Sequence, residues 1–334
     1  MTDAEIATLC ADFDGNIAEE QAILGALSDT DGDGKISIFM SPQVNQLGSM
    51  GGGIITGYFM ASDLYKRSSF NLVSNESELI YTLVPDPSGK WGVAITHEFA
   101  MDNLIPAVLV HESQHAISYN QHVFLNNGAP EDPWLNEAIS HFIEDLLGHN
   151  NENPSRVAMY LNSTSSAGLI SSSTPNLIER GASYLFIRFL YEQHPDGNAF
   201  LAALENSNLT GVENLERAFA GSGDFQSFSQ FMARWAVAMA MTDTGLTSDP
   251  RYVYQARTRH PVTNNWQGVC LHCDADDGRG TVLEGPAMAP YYGYHAVTLD
   301  SSAVKYFEVA TVPAKIVVQG NGDDGDFGVL IRTE

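Results

Sequence analysis

The chain has 334 residues, of which 44% are hydrophobic and 17% charged, a balance that predicts a folded globular protein rather than a disordered or fibrous one. Its 41 acidic residues against 16 basic ones give a formal net charge of -25 at pH 7. Because such a surface repels phosphate groups and anionic lipids, nucleic acid is not an expected partner, whereas divalent cations are. No segment reaches the roughly 18 apolar residues that span a bilayer, so membrane insertion is not expected.

The residue pattern in the first quarter of the chain predicts one helix followed by three strands. Residues 1–28 have a helical pattern that ends in a Gly- and Asp-containing segment. Short β-branched or aromatic runs, each bounded by Gly, Pro, Asn or Ser, then predict strands of one sheet at 35–40, 53–59 and 78–84.

An Asp-rich loop at residues 29–40 separates that helix from the first strand. Acids at its positions 1, 3 and 5 and Gly at position 6 match a calcium loop of the EF-hand type, but Met40 occupies position 12, where a bidentate Glu is usual. The site is therefore incomplete, borrows a carboxylate from elsewhere, or is only a tight turn. The expected calcium ligands are Asp29, Asp31, Asp33 and the backbone carbonyl of Lys35.

From about residue 102 the pattern becomes helical. Pro133 and Pro175 stand where a first helical turn tolerates proline, and Ser173 or Thr174 could cap the helix near Pro175. Strands followed by helices predict an α+β catalytic unit over residues 1–254. The predicted helices cover 105–124, 133–147, 175–194, 199–203, 212–220 and 225–242.

The C-terminal part, residues 255–334, predicts a small β-sandwich domain with an accessory role. A Pro-, Asn-, Asp- and Gly-rich stretch leads into it and contains Cys270 and Cys273, for which a small disulfide loop is the main interpretation and a free pair the alternative. The strands of the sandwich are predicted at 294–299, 304–309, 314–318 and 327–332.

The chemistry is indicated by His111-Glu112-Ser-Gln-His115, an HExxH motif within an apolar helical run. Four residues of a helix turn through about 400°, so the two imidazoles lie on one face and can share a metal ion. Glu112 lies about 100° from His111, which keeps its carboxylate off the metal but near an attacking water. The motif predicts His111 and His115 as zinc ligands and Glu112 as the general base.

The third ligand distinguishes the classes of HExxH enzymes. A metzincin would have Gly and His where this chain has Ser118 and Gln121. Glu137 is the better candidate, because an antiparallel return of the next helix would bring it to the histidine pair. Its separation of 22 residues from His115 (137 − 115) is also close to the gluzincin spacing.

HESQH followed by WLNEAISHFIEDL resembles the hyicolysin family of gluzincin metallopeptidases. The resemblance implies a zincin-like catalytic domain, in which a mixed sheet precedes the active-site helix and a helical lobe. It also implies that His111, His115 and Glu137 bind zinc and that Glu112 is the catalytic base. The similar segments lie within residues 29–195 and include the Asp-rich loop, Gly57-Tyr-Phe59, Ser74-Asn-Glu76 and Arg180-Gly-Ala-Ser-Tyr184-Leu-Phe.

One position departs from the gluzincin pattern. Many gluzincins carry Asp four residues after the ligand Glu, where it orients a ligand His, but this chain has His141 there. Metal-bound His usually donates its other N–H to an oxygen, so Glu144 or Asp145 could orient the ligand instead, although a solvated carboxylate is the alternative for Glu144. His141 and Glu144 are expected beside the ligands. By the resemblance Tyr184 is the candidate oxyanion donor, with a core tyrosine as the alternative.

The sequence thus predicts a zinc endopeptidase that cleaves internal bonds of protein or peptide substrates, which would lie extended beside the strand at 53–59. No motif for an amine-binding acidic patch supports an aminopeptidase. A secreted, adhesin-like binding protein that keeps its metals for stability is the alternative from another class, and the intact Glu112 argues against it. No signal peptide begins the sequence. The protein is therefore either cytosolic or has lost its leader, and we expect the second: a mature protein of the cell surface, periplasm or exterior.

Overall fold

A three-stranded mixed sheet forms the N-terminal side of the protein. The computed structural model describes residues 1–50, 53–171, 173–222, 227–310, 317 and 328–331. The strands are β1 (Ser37–Met40), β2 (Gly57–Phe59) and β3 (Leu79–Thr82). The central strand β3 runs parallel to β1, with Ile38 opposite Ile80, and antiparallel to β2, with Tyr58 opposite Tyr81. All three strands fall within their predicted runs, and β2 lies at an edge.

The remainder of the first 241 residues is mainly helical, so the predicted α+β class is confirmed. The predicted helical segments are all present within the described residues, whereas α2, α3 and α6 were not predicted. The helices are α1 (Asp3–Leu24), α2 (Pro42–Met50), α3 (His97–Phe99), α4 (Ile105–Tyr119), α5 (Pro133–Leu146), α6 (Asn153–Leu161), α7 (Leu177–Gln193), α8 (Gly197–Glu205), α9 (Gly211–Phe219) and α10 (Phe228–Met241).

The N-terminus of α7 corrects the expected cap. The side chain of Asn176 accepts hydrogen bonds from the backbone N–H groups of Ile178 and Glu179, and the Glu179 carboxylate accepts the Asn176 N–H in return. This is a capping box, which satisfies N–H groups that the helix itself leaves unpaired. Ser173 and Thr174 were the wrong choice because an Asn with Glu three residues later caps more completely.

Helix α4, which carries the HExxH motif, lies between two apolar clusters. Ile105 and Leu109 pack into the smaller cluster with Ile80 of the sheet. Val110 and Ile117 pack into the larger cluster, which is built from the helices that follow. π-helical turns at Ala100–Leu104 and Asn120–Leu125 extend α4 at both ends. Because both sides of α4 are packed, the rotation of the helix about its axis, and hence the direction of the motif side chains, is fixed.

The predicted C-terminal β-sandwich is not confirmed. The described part of this region contains three two-stranded sheets, and only the predicted strand at 304–309 coincides with one of their strands, β9. Residues 294–299 are not a strand, and neither are residues 328–331 of the predicted run 327–332; of the run 314–318, only residue 317 is described. The strands are β4 (Thr258–Arg259), β5 (Trp266–Gln267), β6 (His272–Asp274), β7 (Val282–Glu284), β8 (Met288–Pro290) and β9 (Tyr306–Glu308).

The described C-terminal segment instead packs on the helices. Val269, Leu271 and Leu283 belong to the larger apolar cluster, although all three follow the predicted domain boundary at residue 255. The backbone N–H of Gly268 also donates to Asp145 at the end of α5, at 2.9 Å. The apolar residues of this segment are therefore buried against the helices and not between two sheets.

Cys270 and Cys273 are joined by a disulfide, as predicted. Among the residues that the structure describes, no helix combines the length and apolar character needed to cross a membrane.

The shared core leads to a test of the C-terminal packing. Leu271 is fully buried, so Leu271→Ala should leave a cavity and lower the free energy of unfolding of the whole chain by about 2 to 5 kcal/mol. Chemical denaturation followed by circular dichroism of the helices measures this loss. Val282→Ala is the control, because Val282 lies nearby on β7 and is 59% exposed. A helical transition that Leu271→Ala leaves unchanged would contradict a shared core.

Candidate metal centre

Three side chains from α4 and α5 converge as the sequence predicted. The Nε2 atom of His111 lies 3.5 Å from Oε2 of Glu137, and the Nε2 atom of His115 lies 3.7 Å from Oε1. One ligand atom from each residue lies within 4.8 Å of the other two, so the group could hold a metal ion. The antiparallel return of α5 therefore places Glu137 opposite the histidine pair.

The donor atoms fit a tetrahedral ion of the size of zinc. Zinc–nitrogen and zinc–oxygen bonds of about 2.1 Å in tetrahedral geometry separate neighbouring ligand atoms by about 3.4 Å, close to the separations at Glu137. Oε2 of Glu137 is buried and makes no well-formed hydrogen bond within the described residues, although Arg180 lies 3.2 Å from it, so this oxygen is available to a metal ion. Two imidazoles and one carboxylate form a ligand set typical of catalytic zinc.

Glu144 lies next to His111. It is one of the two carboxylates that the sequence offered for orienting a ligand histidine. Its Oε1 atom is 2.7 Å from His111 Nδ1, so the Nδ1–H group donates to the carboxylate and Nε2 faces Glu137. The same oxygen lies 2.9 Å from Nδ1 of His141, and Arg156 contributes a positive charge 3.5 Å from the other oxygen. Glu144 is fully buried between these groups, which argues against a solvated carboxylate.

His141 lies beside the predicted ligands and is completely buried. Its Nε2 atom is 3.6 Å from Oε2 of Glu137 and has no hydrogen-bond partner within the described part of the chain. Arg180 lies 3.2 Å from the same carboxylate oxygen. Sequence reasoning did not assign Arg180 or Arg156, because isolated arginines in later helices carry no spacing signal.

Glu112 is oriented by the edge strand of the sheet. Its Oε2 atom accepts the backbone N–H of Phe59 in β2 at 2.8 Å, and only 7% of the residue is exposed. An open cavity of about 340 Å³ lies next to these residues and is lined by Phe59, His115, Tyr119, Glu137 and Thr174, among others. The carboxylate is thus held near the face of the site that a substrate could reach.

Tyr184 does not occupy the position expected of an oxyanion donor. Its hydroxyl is buried and donates to Oδ2 of Asp145 at 3.0 Å, and Arg188 also binds this oxygen, at 2.7 Å. Tyr184 lines a different cavity from that of His115 and Glu137. The geometry favours the alternative, a core tyrosine, and it shows that Asp145 serves this internal network rather than a ligand histidine.

A carboxylate from outside the Asp-rich loop, that of Glu78, lies beside the loop. Asp29, Asp31 and Glu78 form a group that could hold a cation. Glu78 precedes β3 and is fully buried, and its oxygens accept the Thr30 N–H at 3.0 and 3.1 Å. Since Glu78 lies 49 residues after Asp29 (78 − 29), the sequence pattern could not identify it.

The other two expected ligands of this loop, Asp33 and Lys35, are hydrogen-bonded to each other. Asp33 is not in the group of three carboxylates, and its Oδ1 atom accepts the Lys35 N–H at 2.8 Å. Both residues therefore take part in the hydrogen bonding of the turn. The group of carboxylates thus keeps Asp29 and Asp31 of the predicted ligands and adds Glu78.

Burial and charge act in opposite directions at the ligands. Burial disfavours protonation of His111, but the nearby carboxylates of Glu137, Glu144 and Glu112 outweigh it and raise the pKa of His111 to about 10. Burial lowers the pKa of His115. For Glu137, the two ligand imidazoles and Arg180 outweigh desolvation and hold the pKa of the carboxyl well below its usual range.

Comparison with protein-family models and with curated proteins found no match to this chain. The assignment of function therefore depends on the motifs and on the geometry of the site.

Removal of the α5 ligand tests the metal centre directly. Glu137→Ala should reduce bound zinc from about one ion per chain to a small fraction of that, because two imidazoles alone bind weakly. Mass spectrometric metal analysis after dialysis measures the content. Glu213→Ala, at an exposed position of α9, is the matched control and should keep the wild-type content. Equal zinc in wild type and Glu137→Ala would exclude this ligand set.

The raised pKa of His111 predicts that metal binding releases a proton. Below about pH 10 the metal-free His111 is protonated, and zinc needs its unprotonated Nε2 atom, so affinity should fall as the pH is lowered. We expect about one proton released per zinc at pH 7. Calorimetric titrations in buffers of different ionisation enthalpy count these protons. A binding enthalpy independent of the buffer would contradict the prediction.

Proposed function

We propose that the chain is a zinc-dependent endopeptidase of the hyicolysin family. The observation that carries this proposal is the position of Glu137, whose two carboxylate oxygens lie 3.5 and 3.7 Å from the Nε2 atoms of His111 and His115. A chance HExxH sequence would have no reason to face a third ligand from another helix. The intact Glu112 beside this group supports catalysis rather than a purely structural metal.

The protein residues divide the chemical work between them. His111, His115 and Glu137 would hold the ion, and bound zinc supplies Lewis acidity that activates water and polarises a carbonyl group. Glu112 would take the proton of the attacking water and pass it to the leaving nitrogen. The Phe59 N–H bond to its Oε2 atom restrains the carboxylate, leaving Oε1 for the transferred proton.

A peptide substrate fits the surroundings of the site. Strand β2 lies at an edge of the sheet, and its residue Phe59 lines the same open cavity as His115 and Glu137. An extended peptide could add to that edge through backbone hydrogen bonds, which recognise peptides without requiring one side chain. The placement of β2 supports the expected substrate strand and favours protein or peptide substrates.

An oxidising compartment and a bound calcium ion fit the proposed endopeptidase. The disulfide between Cys270 and Cys273 favours an oxidising environment such as the periplasm, the cell surface or the exterior. Calcium, which is abundant outside cells, would be held by Asp29, Asp31 and Glu78. It would fix the start of β1 relative to β3.

Activity and metal content must be measured on the same samples. Wild type should bind about one zinc and hydrolyse casein in a manner that chelators abolish. Glu112→Gln should keep its zinc but lose activity by about 10² to 10⁴-fold, the usual contribution of a general base. Glu213→Gln is the matched control.

The possible outcomes separate the two classes of function. Full activity in Glu112→Gln would show that this residue is not the base. Bound zinc without hydrolysis of casein or of a peptide library would instead favour a metal-stabilised, adhesin-like binding protein.

A further inference from the structure

A chain of buried hydrogen bonds reaches Nδ1 of His115, the ring nitrogen that does not face Glu137. We propose that Ser140 and Gln114, oriented by Glu205, position His115 by fixing the tautomer in which Nδ1 carries the proton and Nε2 faces the metal centre. The inference deepens the proposed function and rests on it for the role of His115 as a ligand. None of these three residues was identified from the sequence.

The chain spans α4, α5 and α8. Nδ1 of His115 lies 3.2 Å from Oγ of Ser140, which is itself hydrogen-bonded to Oε1 of Gln114. Nε2 of Gln114 donates to Oε1 of Glu205 at 2.8 Å. Ser140, Gln114 and Glu205 are each 0% exposed, so water does not compete for these bonds.

The donor and acceptor of each hydrogen bond can be assigned by starting from Glu205, the residue farthest from His115. In the structure the NH₂ group of Gln114 faces Glu205 Oε1, and its carbonyl oxygen faces Ser140. Burial raises the pKa of Glu205 to about 8. Above that pH the ionised carboxylate can only accept, so it requires this orientation of the amide.

Ser140 determines which nitrogen of His115 carries the proton. Its hydroxyl has one proton, and its two other neighbours, the Gln114 side chain and the backbone carbonyl of Asn136 at 3.1 Å, both present acceptor oxygens. Whichever of them takes the proton, Ser140 Oγ can only accept from His115. The Nδ1–H tautomer is thereby favoured, and the lone pair of Nε2 is directed to the metal.

The two motif histidines are held by different chemistry. A buried anion, Glu144, accepts from His111 directly, whereas a neutral hydroxyl accepts from His115. A carboxylate makes its imidazole a stronger base than a hydroxyl does. His115 therefore depends on orientation rather than on added basicity, and the loss of Ser140 should randomise its tautomer.

The test combines the tautomer with the affinity for zinc. Nitrogen-15 spectra of histidine-labelled, metal-free protein report which ring nitrogen carries the proton, and the His115 signals are assigned by their absence in His115→Asn. Wild type should show the Nδ1–H form. Ser140→Ala should shift His115 toward the Nε2–H form and weaken zinc about 10- to 100-fold, measured by competition with a chromophoric chelator.

Further variants separate positioning from stability. Ser140→Thr keeps the hydroxyl and should restore the wild-type tautomer and affinity. Gln114→Leu and Glu205→Leu remove later members of the chain and should shift the tautomer in the same direction but less than Ser140→Ala, because the Asn136 carbonyl can still take the Ser140 proton. They keep the test available if Ser140→Ala does not fold. Ser113→Ala is the matched control, since Ser113 is a buried serine of α4 that donates to Glu20 instead of contacting a ligand.

The outcomes are distinguishable from those of the proposed function. A wild-type tautomer with wild-type zinc affinity in folded Ser140→Ala would overturn the positioning role and leave the peptidase proposal standing. A chain that binds no zinc would overturn the peptidase proposal, while the spectra of the metal-free protein would still decide whether Ser140 sets the tautomer of His115.

Discussion

The side-by-side packing of α4 and α5 is the contact on which the candidate site depends. Each helix supplies part of the ligand group, and neither part could bind a cation firmly alone. Helix α4 is buried against the sheet on one side and against the helical cluster on the other, so its histidines cannot turn away from Glu137. A rigid pair of helices holds ligand atoms at fixed separations, as a metal site requires.

The charges around the site follow from the burial of its ligands. Two carboxylates, Glu137 and Glu144, lie within a largely apolar interior of a strongly acidic protein. Arg180 and Arg156 from later helices lie close to them, and the imidazoles complete the compensation. The two buried carboxylates are therefore balanced by positive charge before any ion is bound.

Local patterns predicted the elements well, because helix and strand periodicity and caps act over a few residues. The three strands of the sheet and the helices from α4 onward, except α6, lie where the sequence placed them, whereas the C-terminal sandwich does not form within the described residues. Spaced apolar runs such as 294–299 resemble strands, but Leu271 and Leu283 find a partner surface on the helices. Periodicity shows which residues are apolar on one face, but it does not show against which surface they pack.

The sequence by itself determined the HExxH helix, the common face of His111 and His115, and Glu137 as their partner, because helical spacing and one short return fix these relations. Only the tertiary structure decided that Glu144 rather than Asp145 supports His111, that Tyr184 lies in an internal network, and that Glu78 joins the Asp-rich loop. Each of these depends on contacts between helices and strands distant in sequence, where no local pattern records which side chains will meet.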